Sequence, residues 1–369
     1  MKVLFVATIA EHFLCFHLPY FGLFKEKGWE VEAACCEPVS MPGCDQCHRI
    51  DIARSPFMPR NIKGFLQLKK LLNKNKYDIV HCNTPMGGAL ARLAAGKVRK
   101  RGTKVVYTAH GFHFFMGAPL KNWLVYYPIE FLLAGRTDCL ITINEEDYRF
   151  ATKRLKPGKT VRVHGVGFDA DKFQPASAAT KQALRRENGY RADDILLVYV
   201  AELNGNKNQG FLIKAMKTAA AKNKKVKLLL IGPDSMAGKY KQMAAGLGLD
   251  ENVKFYGMRT DVDKLLPMCD IAVASSLREG LPVNIMEALA CGLPVVAVDN
   301  RGHRELVRDG VNGYLVAPGD TGAMVQRVFG LIDDKQLYRK LSEAAVNSVT
   351  PFCRERVVEE MRAVYDAMC

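Results

Sequence analysis

Short apolar runs alternate with stretches of helical size along most of the chain. In the first half the runs are KVLFVAT, WEVEAAC, YDIVHC, KVVYTAH, DCLITI and TVRVHGV. The second half repeats the pattern with ILLVYVAE, VKLLLIG, NVKFYG, DIAVASS, LPVVAV and NGYLVAP. Buried strands of this length, separated by helices, predict mostly parallel sheets covered on both faces. The pattern therefore predicts two doubly wound α/β units in tandem.

The boundaries of these units follow from the segment between the two sets of strands, which is polar and has no strand pattern. We expect a first Rossmann-like unit over 1–167, a linker over 168–192 and a second Rossmann-like unit over 193–350. The tail, 351–369, has apolar residues at helical spacing, and the predicted helix could dock on either unit, the first being the expected one. Ligands of such sheets bind at the carboxyl ends of the strands, so we expect a site where two such units face each other across a cleft.

Length and composition are those of a globular protein with more than one core, because the 369 residues are 49% hydrophobic and 25% charged. Only Lys2 precedes the run VLFVATIA, which favours a first buried strand over a signal peptide. The apolar run around WLVYYPIEFLLAG contains Pro128 and Glu130 and is too short to span a membrane. These features predict a cytoplasmic protein that need not avoid the inner surface of the plasma membrane.

The charge is unevenly distributed. Residues 1–165 hold 25 basic and 13 acidic side chains, whereas 166–369 hold 28 and 25. The basic clusters KKLLNKNK and KVRKRGTK predict an anionic partner, either a lipid surface or a phosphorylated acceptor, or else a solvated basic face. No zinc-finger spacing and no RNA-binding aromatic motif is present, so we expect no nucleic acid.

Eleven cysteines, an odd number in a chain of this size, indicate scattered free thiols in a reducing compartment. The segment CDQCH, Cys44 to His48, has the spacing of half a zinc site. The second half would have to come from His81 and Cys82, and isolated pairs of this kind are common by chance. We therefore expect no bound metal.

Two carboxylates stand out in the segment REGLPVNIMEALACGLPVVAV. Glu279 and Glu287 lie on either side of a Gly-Leu-Pro turn that begins a helix, which Gly292 is expected to end. The first free amides of this helix, those of Val283 and Asn284, would form an anion site.

Carboxylates beside an anion site suit a ligand whose neutral hydroxyls flank a negative group. A nucleotide sugar has this arrangement, with a diphosphate between a ribose and a hexose. Glu287 could bind the ribose and Glu279 the hexose. The alternative is that both glutamates belong to a solvated surface, because isolated residue pairs are weak signals.

A longer stretch makes the pattern more specific. EGLPVNIMEALACGLPVVAVDNRGHRELVRDGVNGYLV resembles the nucleotide-sugar signature of family 4 glycosyltransferases, whose hallmark is two glutamates separated by seven residues in the GT-B fold. VAELNGNKNQGFLIKAM, LLLIGPDS, VKFYGMRTDVDKLLPMCDIAVASS, HCNTPMGGALARL and YTAHGFHF follow the family's order. The resemblance covers nearly the whole chain and is strongest to bacterial capsule and exopolysaccharide enzymes.

The resemblance implies roles for individual residues. Glu279 would contact the donor hexose, Lys207 would neutralise the diphosphate, and His110 would approach the transferred sugar; these three are the expected catalytic residues. The remaining donor-binding residues implied by the resemblance are Glu287 on the ribose, Val283 and Asn284 on the diphosphate, Gly280, Leu281 and Asn206 beside them, and Met258 and Arg259 at the base. His113 and His164 are expected to be structural.

One position departs from the family pattern. Five residues before Lys207 the family usually has an arginine on the diphosphate, whereas this chain has Glu202. A like charge there would repel the phosphate by about 4 kcal/mol at ~4 Å in an effective dielectric near ~20. Glu202 is therefore expected to turn away, toward Asn204 or Asn206, or else to touch the donor sugar.

Family 4 enzymes retain the anomeric configuration and generally use protein cations and helix amides in place of a metal. The resemblance thus implies a metal-independent transferase that moves a hexose or N-acetylhexosamine from a nucleotide sugar, UDP-linked by family habit, and it implies no cofactor. DVD at 261–263 looks like a metal-binding pair, but it follows Thr260, where a helix should start, which favours an N-terminal capping role.

The acceptor is indicated only by the segment HGFHFFMGAPLKNWLVYYPIEFLL, where a helix is predicted to begin near Pro119. The helical spacing of Leu120, Trp123, Tyr127 and Phe131 is more typical of a buried face than of a membrane face. Basic clusters nearby nevertheless suit a polyprenyl-diphosphate-linked saccharide acceptor and peripheral contact with an anionic inner-membrane surface. The competing hypotheses are a nucleotide-sugar epimerase of related fold and a catalytically silent subunit that binds nucleotide sugar.

Overall fold

The computed structural model describes all residues from 1 to 369, and the chain divides into two compact units. The first unit comprises 1–166 together with 355–369, and the second comprises 167–354. No helix has both the length and the apolar character needed to cross a membrane.

The first unit contains a seven-stranded parallel sheet in the order β3-β2-β1-β4-β5-β6-β7. Its strands are β1 Lys2–Val6, β2 Glu30–Cys35, β3 Gln46–Arg49, β4 Ile79–Cys82, β5 Lys104–Ala109, β6 Cys139–Thr142 and β7 Lys159–Arg162. Its helices are α1 Glu11–Phe16, α2 Leu18–Glu26, α3 Arg60–Lys74, α4 Pro85–Ala94, α5 Gly96–Arg99, α6 Leu120–Ala134 and α7 Glu145–Arg154.

The second unit contains a six-stranded parallel sheet in the order β10-β9-β8-β11-β12-β13. Its strands are β8 Ile195–Val200, β9 Val226–Ile231, β10 Val253–Gly257, β11 Ile271–Ala274, β12 Val295–Val298 and β13 Gly313–Val316. Its helices are α8 Ala178–Glu187, α9 Gln209–Lys222, α10 Lys239–Gly246, α11 Val262–Leu265, α12 Val283–Ala290, α13 Arg301–Leu306, α14 Thr321–Asp333 and α15 Lys335–Val349. Short 3₁₀ turns occupy Leu266–Met268 and Thr350–Phe352, and the last helix is α16 Arg354–Asp366.

Two doubly wound parallel sheets were predicted, and they are present. The central strands are almost continuously apolar because helices cover both faces of each sheet, as in β1, β5 and β11, where nearly every residue is buried. In both sheets the strand order reverses beside the first strand, which creates a switch point where loops diverge.

The structure corrects the prediction that residues 168–192 form a linker. These residues belong to the second unit and contain α8. The polar composition that suggested a linker includes Arg185, whose buried guanidinium bonds Asp270 Oδ2 at 2.6 Å and the Met268 carbonyl at 2.9 Å. A polar segment is therefore ordered here by charge-assisted hydrogen bonds in place of apolar burial.

The C-terminal helix α16 belongs to the first unit from Glu355 onward. Tyr365 on this helix is buried, and its hydroxyl lies 2.8 Å from Nδ1 of His81 on β4. The chain thus completes its first unit with its last residues.

Candidate active site

The switch point of the second sheet lies between β8 and β11, and the loops that leave these two strands are hydrogen-bonded to each other. The Leu277 amide donates to the Asn206 carbonyl at 2.8 Å, and the Asn206 side chain donates to the Arg278 carbonyl at 3.0 Å. Ser275 Oγ donates to the Lys207 carbonyl at 2.8 Å. Asn206, predicted to bind the donor, therefore holds the two loops together.

Lys207 and Glu279 meet across these loops. Nζ of Lys207 lies 2.5 Å from Oε1 of Glu279, and the two side chains are 23% and 13% exposed. The Lys207 amide is itself fixed by Asn204 Oδ1 at 2.9 Å. An expected diphosphate-binding cation and an expected hexose-binding carboxylate thus stand side by side at the carboxyl end of the sheet.

The backbone of Glu279 is held by α13, which sequence reasoning did not identify as part of the site. Buried Arg301 donates from Nε to the Glu279 carbonyl at 3.2 Å. A Cβ at Gly302 would lie only 2.5 Å from the Glu279 Cβ, so only glycine allows this approach. A local sign of this contact is the segment DNRGHRE, in which Gly302 directly follows Arg301.

The helix that follows Glu279 begins where the sequence predicted. Pro282 occupies the N-cap of α12, and Gly292, with φ of 75°, comes just after its end. The main-chain amides of Val283 and Asn284 make no hydrogen bond within the chain, because the first intrahelical bonds begin at Ile285. They form the positive end of a helix dipole beside the Glu279 loop, which also contains Gly280 and the mostly buried Leu281.

Glu287 lies one turn into α12. Its carboxylate makes no hydrogen bond or ion pair within the chain. Burial, opposed by the positive charge of Arg354, raises the pKa of Glu287 to about 7. A partly buried carboxylate without a hydrogen-bond partner costs free energy, and such groups are concentrated at functional sites.

Glu202 turns away from Lys207, but not toward the asparagines that the sequence suggested. Its Oε1 accepts a hydrogen bond from Ser235 Oγ at 2.5 Å, and its main-chain carbonyl accepts one from Gln209. Ser235 lies in the loop after β9, a neighbour that only the sheet order brings close. The role of Glu202 toward a donor stays a prediction.

The loop after β10 contains Met258 and Arg259, and Met258 is 74% exposed. Asp261 stands at the N-cap of α11, as predicted, but its side chain does not cap the helix. Its carboxylate instead binds Arg259, with Nε to Oδ1 at 2.8 Å and Nη2 to Oδ2 at 2.6 Å. The capping prediction was wrong because a bidentate arginine pair competes for the same oxygens.

His110 lies in the first unit, immediately after β5. Burial, with a smaller contribution from His17, lowers the pKa of His110 to about 3, so the imidazole is neutral near pH 7. Its Nε2 is buried and has no hydrogen-bond partner. Depending on its tautomer, Nε2 of a neutral imidazole can donate a hydrogen bond to a substrate hydroxyl or accept one from it.

A groove of about 890 Å³ crosses the first unit between α3, α4 and α6. Its apolar lining includes Ile62, Phe65, Leu90, Leu93, Tyr126 and Ile129. Arg54 and Arg136 also line it. Glu11 and Glu130 line it as well, so the groove combines an apolar lining with charges of both signs.

The helix α6 begins after Pro119 as predicted, but its apolar face is not buried as expected. Leu120 is 73% exposed and Phe131 is 47% exposed, while Trp123 and Tyr127 are half-buried against the core. Exposed apolar residues also occur on α3 and just before it, at Phe57, Met58, Ile62 and Leu66. The expectation of burial failed because α6 is apolar almost all round, so helical spacing alone did not define its inner face.

The residues considered for a zinc site do not meet. CDQCH overlaps β3, an edge strand that sequence patterning missed because it is short and only half-buried. Three strand spacings separate β3 from β4, about 14 Å, so Cys47 and Cys82 cannot share an ion. His81 uses one ring nitrogen on Thr108 and the other on Tyr365, and His48 is paired with Glu32.

Two family models match the chain, and they fix the class of the protein. The model described as glycosyl transferases group 1 matches residues 180–348, and the one described as glycosyl transferase 4-like matches residues 2–144. The predicted class of enzyme, a glycosyltransferase, is thereby confirmed.

Individual proteins give the same result. A protein of Bacillus subtilis (strain 168) named as glycosyltransferase EpsD is 48% identical over 367 residues, which cover 99% of this chain and 96% of that protein. An Escherichia coli UDP-Gal:alpha-D-GlcNAc-diphosphoundecaprenol alpha-1,3-galactosyltransferase is 30% identical over 363 residues, covering 94% and 89%. The structure of Anabaena HepE in complex with UDP and glucose superposes with a TM-score of 0.80 at 21% identity, over the whole of both chains. The chain belongs to family 4 of the glycosyltransferases and has the GT-B fold.

Proposed function

We propose that the protein is a retaining glycosyltransferase of capsule or exopolysaccharide synthesis. It moves a hexose or N-acetylhexosamine from a UDP-sugar to a saccharide linked to a polyprenyl diphosphate. The observation that carries the proposal is the pairing of Lys207 with Glu279 beside the free amides of α12. A cation, two main-chain donors and a carboxylate at one sheet switch point match the charge order of a sugar diphosphate.

The donor would bind with its diphosphate against Lys207 and the amides of Val283 and Asn284. Its ribose diol would donate to the partly buried carboxylate of Glu287, which makes no hydrogen bond within the chain. The hexose hydroxyls would replace part of the contact between Glu279 and Lys207. Each polar group of the site would then have a partner, which is the usual condition for buried polar groups.

The proposed reaction is a front-face displacement at the anomeric carbon. The acceptor oxygen forms a bond to this carbon, the bond to the diphosphate oxygen breaks, and the acceptor proton passes to the departing phosphate oxygen. Negative charge grows on that oxygen, so preorganised donors such as Lys207 and the α12 amides supply the largest stabilisation. No metal is required at the diphosphate in this scheme, and neutral His110 would bind a hydroxyl of the transferred sugar.

Features of the first unit support the proposal of a lipid-linked acceptor. The apolar groove would hold the first isoprene units, and Arg54 and Arg136 would meet the acceptor diphosphate. Exposed apolar residues on α3 and α6 flank the groove and would rest on the inner face of the plasma membrane. The E. coli relative is named for an acceptor of this chemical class.

The test is a panel of UDP- and GDP-sugars incubated with polyprenyl-diphosphate-linked GlcNAc, with released nucleotide and lipid product both measured. We expect one UDP-sugar to give product, whose anomeric configuration by NMR equals that of the donor. An inverted product would contradict the retaining mechanism. An epimer formed without acceptor would establish an epimerase, and nucleotide binding without any turnover would establish a silent subunit.

Glu279→Ala is the matched variant for this assay. Losing the hexose contacts is expected to lower kcat by about 100-fold or more. Glu251→Ala, at a glutamate whose side chain is 88% exposed, serves as the control and should transfer at the parental rate. Unchanged transfer by Glu279→Ala would remove the central assignment.

A further inference from the structure

A second pocket of the first unit, of about 370 Å³, opens between α6 and α7 and shares no lining residue with the groove described above. Its lining is mostly apolar and comes from the loop after β5 and from the two helices. The rings of Phe114, Trp123 and Phe150 form its wall, with centroids 5.3, 5.4 and 5.7 Å apart. A pocket of this volume lies within the range of binding sites for small ligands.

Trp123 joins the pocket to the exposed apolar surface of α6. Its ring is only partly buried against the core. Leu120, three positions earlier, and Leu124, the next residue, are 73% and 69% exposed. Helix residues three and four positions apart are neighbours, so the three side chains form one apolar surface. Met116, which also lines the pocket, is 82% exposed and extends this surface.

The two acids that line the pocket are engaged by the main chain. Asp147 is buried and accepts a hydrogen bond from the Phe112 amide at 3.0 Å. Glu146 accepts one from the Met116 amide at 3.2 Å. Both acids lie in the first turn of α7, where the helix dipole also stabilises negative charge. Their role is therefore to fix the loop after β5 against α7.

The cations that line the pocket lie further along α7. Arg149 is paired with Glu145, with Nε 2.6 Å from Oε1. Lys153 and Arg154, in the last turn, are exposed and make no ion pair within the chain. These two cations are available to an anion bound at the pocket.

We propose that this pocket binds an anionic phospholipid, with part of an acyl chain between the aromatic rings and the headgroup phosphate at Lys153 and Arg154. Apolar surface joined to basic residues matches the two chemical halves of such a lipid. A membrane is favoured over an acidic protein segment because tryptophan with one apolar and one wet side is typical of membrane interfaces. The inference rests on the proposed membrane contact of α6 and adds a lipid class and a defined site to it.

The phospholipid would not compete with the acceptor. No residue lines both the pocket and the acceptor groove, so the two can be occupied together. The bound phospholipid would hold the first unit on the membrane while the groove receives the acceptor.

The test is quenching of tryptophan fluorescence by phospholipids with brominated acyl chains, which quench on contact. The chain has two tryptophans, and Trp29 is buried in the core beside Phe24. Quenching that disappears in Trp123→Phe is therefore quenching of Trp123.

The vesicles contain neutral phosphatidylcholine and anionic phosphatidylglycerol in fixed proportion. Bromine is carried by one lipid or the other at the same mole fraction of the vesicle. We expect the brominated anionic lipid to quench Trp123 about threefold more than the brominated neutral lipid, because the two cations concentrate it at the pocket. This comparison is made in the parental chain and needs no variant.

A charge variant tests the assigned cations. Lys153→Gln/Arg154→Gln should make quenching by the two brominated lipids equal. Lys214→Gln/Lys217→Gln, at two exposed lysines of α9 in the second unit, removes the same charge and should keep the parental preference. Circular dichroism verifies that both variants fold.

The possible outcomes separate the pocket from the membrane contact. Vesicle binding with equal quenching in the parental chain would overturn the proposal, and so would a preference that survives Lys153→Gln/Arg154→Gln. Vesicle binding without quenching of Trp123 would also overturn it and would leave the pocket to another occupant, such as an acidic protein segment. Absence of vesicle binding would refute the membrane contact together with the lipid site. Because no nucleotide sugar is present, a failed transferase assay would not affect these results.

Discussion

Nζ of Lys207 and Oε1 of Glu279 lie 2.5 Å apart, although 72 positions separate the two residues in the sequence. The contact neutralises two charges that would otherwise be largely buried without partners. It also places the expected phosphate-binding cation beside the expected sugar-binding carboxylate. The leaving oxygen and the sugar ring of a donor are joined by a single bond, so the two groups that receive them must be close neighbours.

Removing the cation should slow the chemical step. We expect Lys207→Met to lower kcat by about 100- to 1,000-fold, because the departing phosphate loses a preorganised charge partner. Lys207→Arg keeps the positive charge, so its kcat should fall less than that of Lys207→Met. Lys214→Met, at an exposed lysine on the adjacent helix α9, is the control and should leave kcat unchanged. Steady-state release of nucleotide measures the effect, and equal rates for both methionine variants would contradict the assigned role.

The stability of the second unit should depend on the ionisation of Glu287. Burial, opposed by Arg354, raises the pKa of Glu287 from its ordinary value of 4.5 to about 7. The folded chain therefore holds the proton more tightly than the unfolded chain between these values. The free energy of unfolding consequently falls as pH rises through this window, by about 2 to 3 kcal/mol from this group.

Glu287→Gln removes the ionisable group and tests this dependence. Urea unfolding at pH 5 and pH 8 should show that the variant loses less stability than the parent between the two values. The same change should weaken UDP binding at pH 8, because an amide is a poorer acceptor for the ribose diol. Glu251→Gln, at an exposed position, should reproduce the parental pH dependence. An identical slope for parent and Glu287→Gln would show that the carboxyl ionises normally.

The stability of the first unit should depend on a buried ion pair below the groove. Arg92 donates from Nη1 and Nη2 to Glu130 at 2.8 and 3.1 Å, and its guanidinium lies 3.9 Å from the centre of the Tyr107 ring. Glu130→Ala leaves the arginine buried without its partner and should cost about 3 to 5 kcal/mol. The double variant Arg92→Met/Glu130→Leu removes both charges and should cost markedly less. Urea unfolding measures the stability of both variants. Equal losses of unfolding free energy in the single and the double variant would contradict this prediction.

Binding to anionic membranes should depend on the exposed apolar face of α6. Leu120 and Leu124 are 73% and 69% exposed. We expect the double variant Leu120→Glu/Leu124→Glu to reduce co-sedimentation with vesicles containing anionic lipid by about tenfold or more. Val311→Glu in the second unit, at a residue 47% exposed, is the matched control. Parental binding that is insensitive to anionic lipid or to salt would exclude this surface as a membrane contact.

The apolar pattern alone predicted twelve of the strands correctly, because buried parallel strands need continuous apolar runs and leave a clear trace in the sequence. The pattern missed β3, because a half-buried edge strand needs no continuous apolar run. The start of α12 at Pro282 and its end before Gly292 were also local properties, set by turn and cap chemistry. The prediction of a linker over 168–192 was wrong because the helix in this segment depends on a distant contact, the bond from Arg185 to Asp270.

By itself the sequence determined the two parallel sheets, the start and end of α12 and the candidate carboxylates, since these depend on residue type and spacing over short distances. Only the tertiary structure decided which side chains meet: Lys207 with Glu279, Glu202 with Ser235, and Asp261 with Arg259. Most of these contacts join segments that the sheet order brings together from distant parts of the chain, and even neighbours such as Arg259 and Asp261 choose among competing partners. Local periodicity carries no information on such pairings, because packing and electrostatics across the whole unit select them.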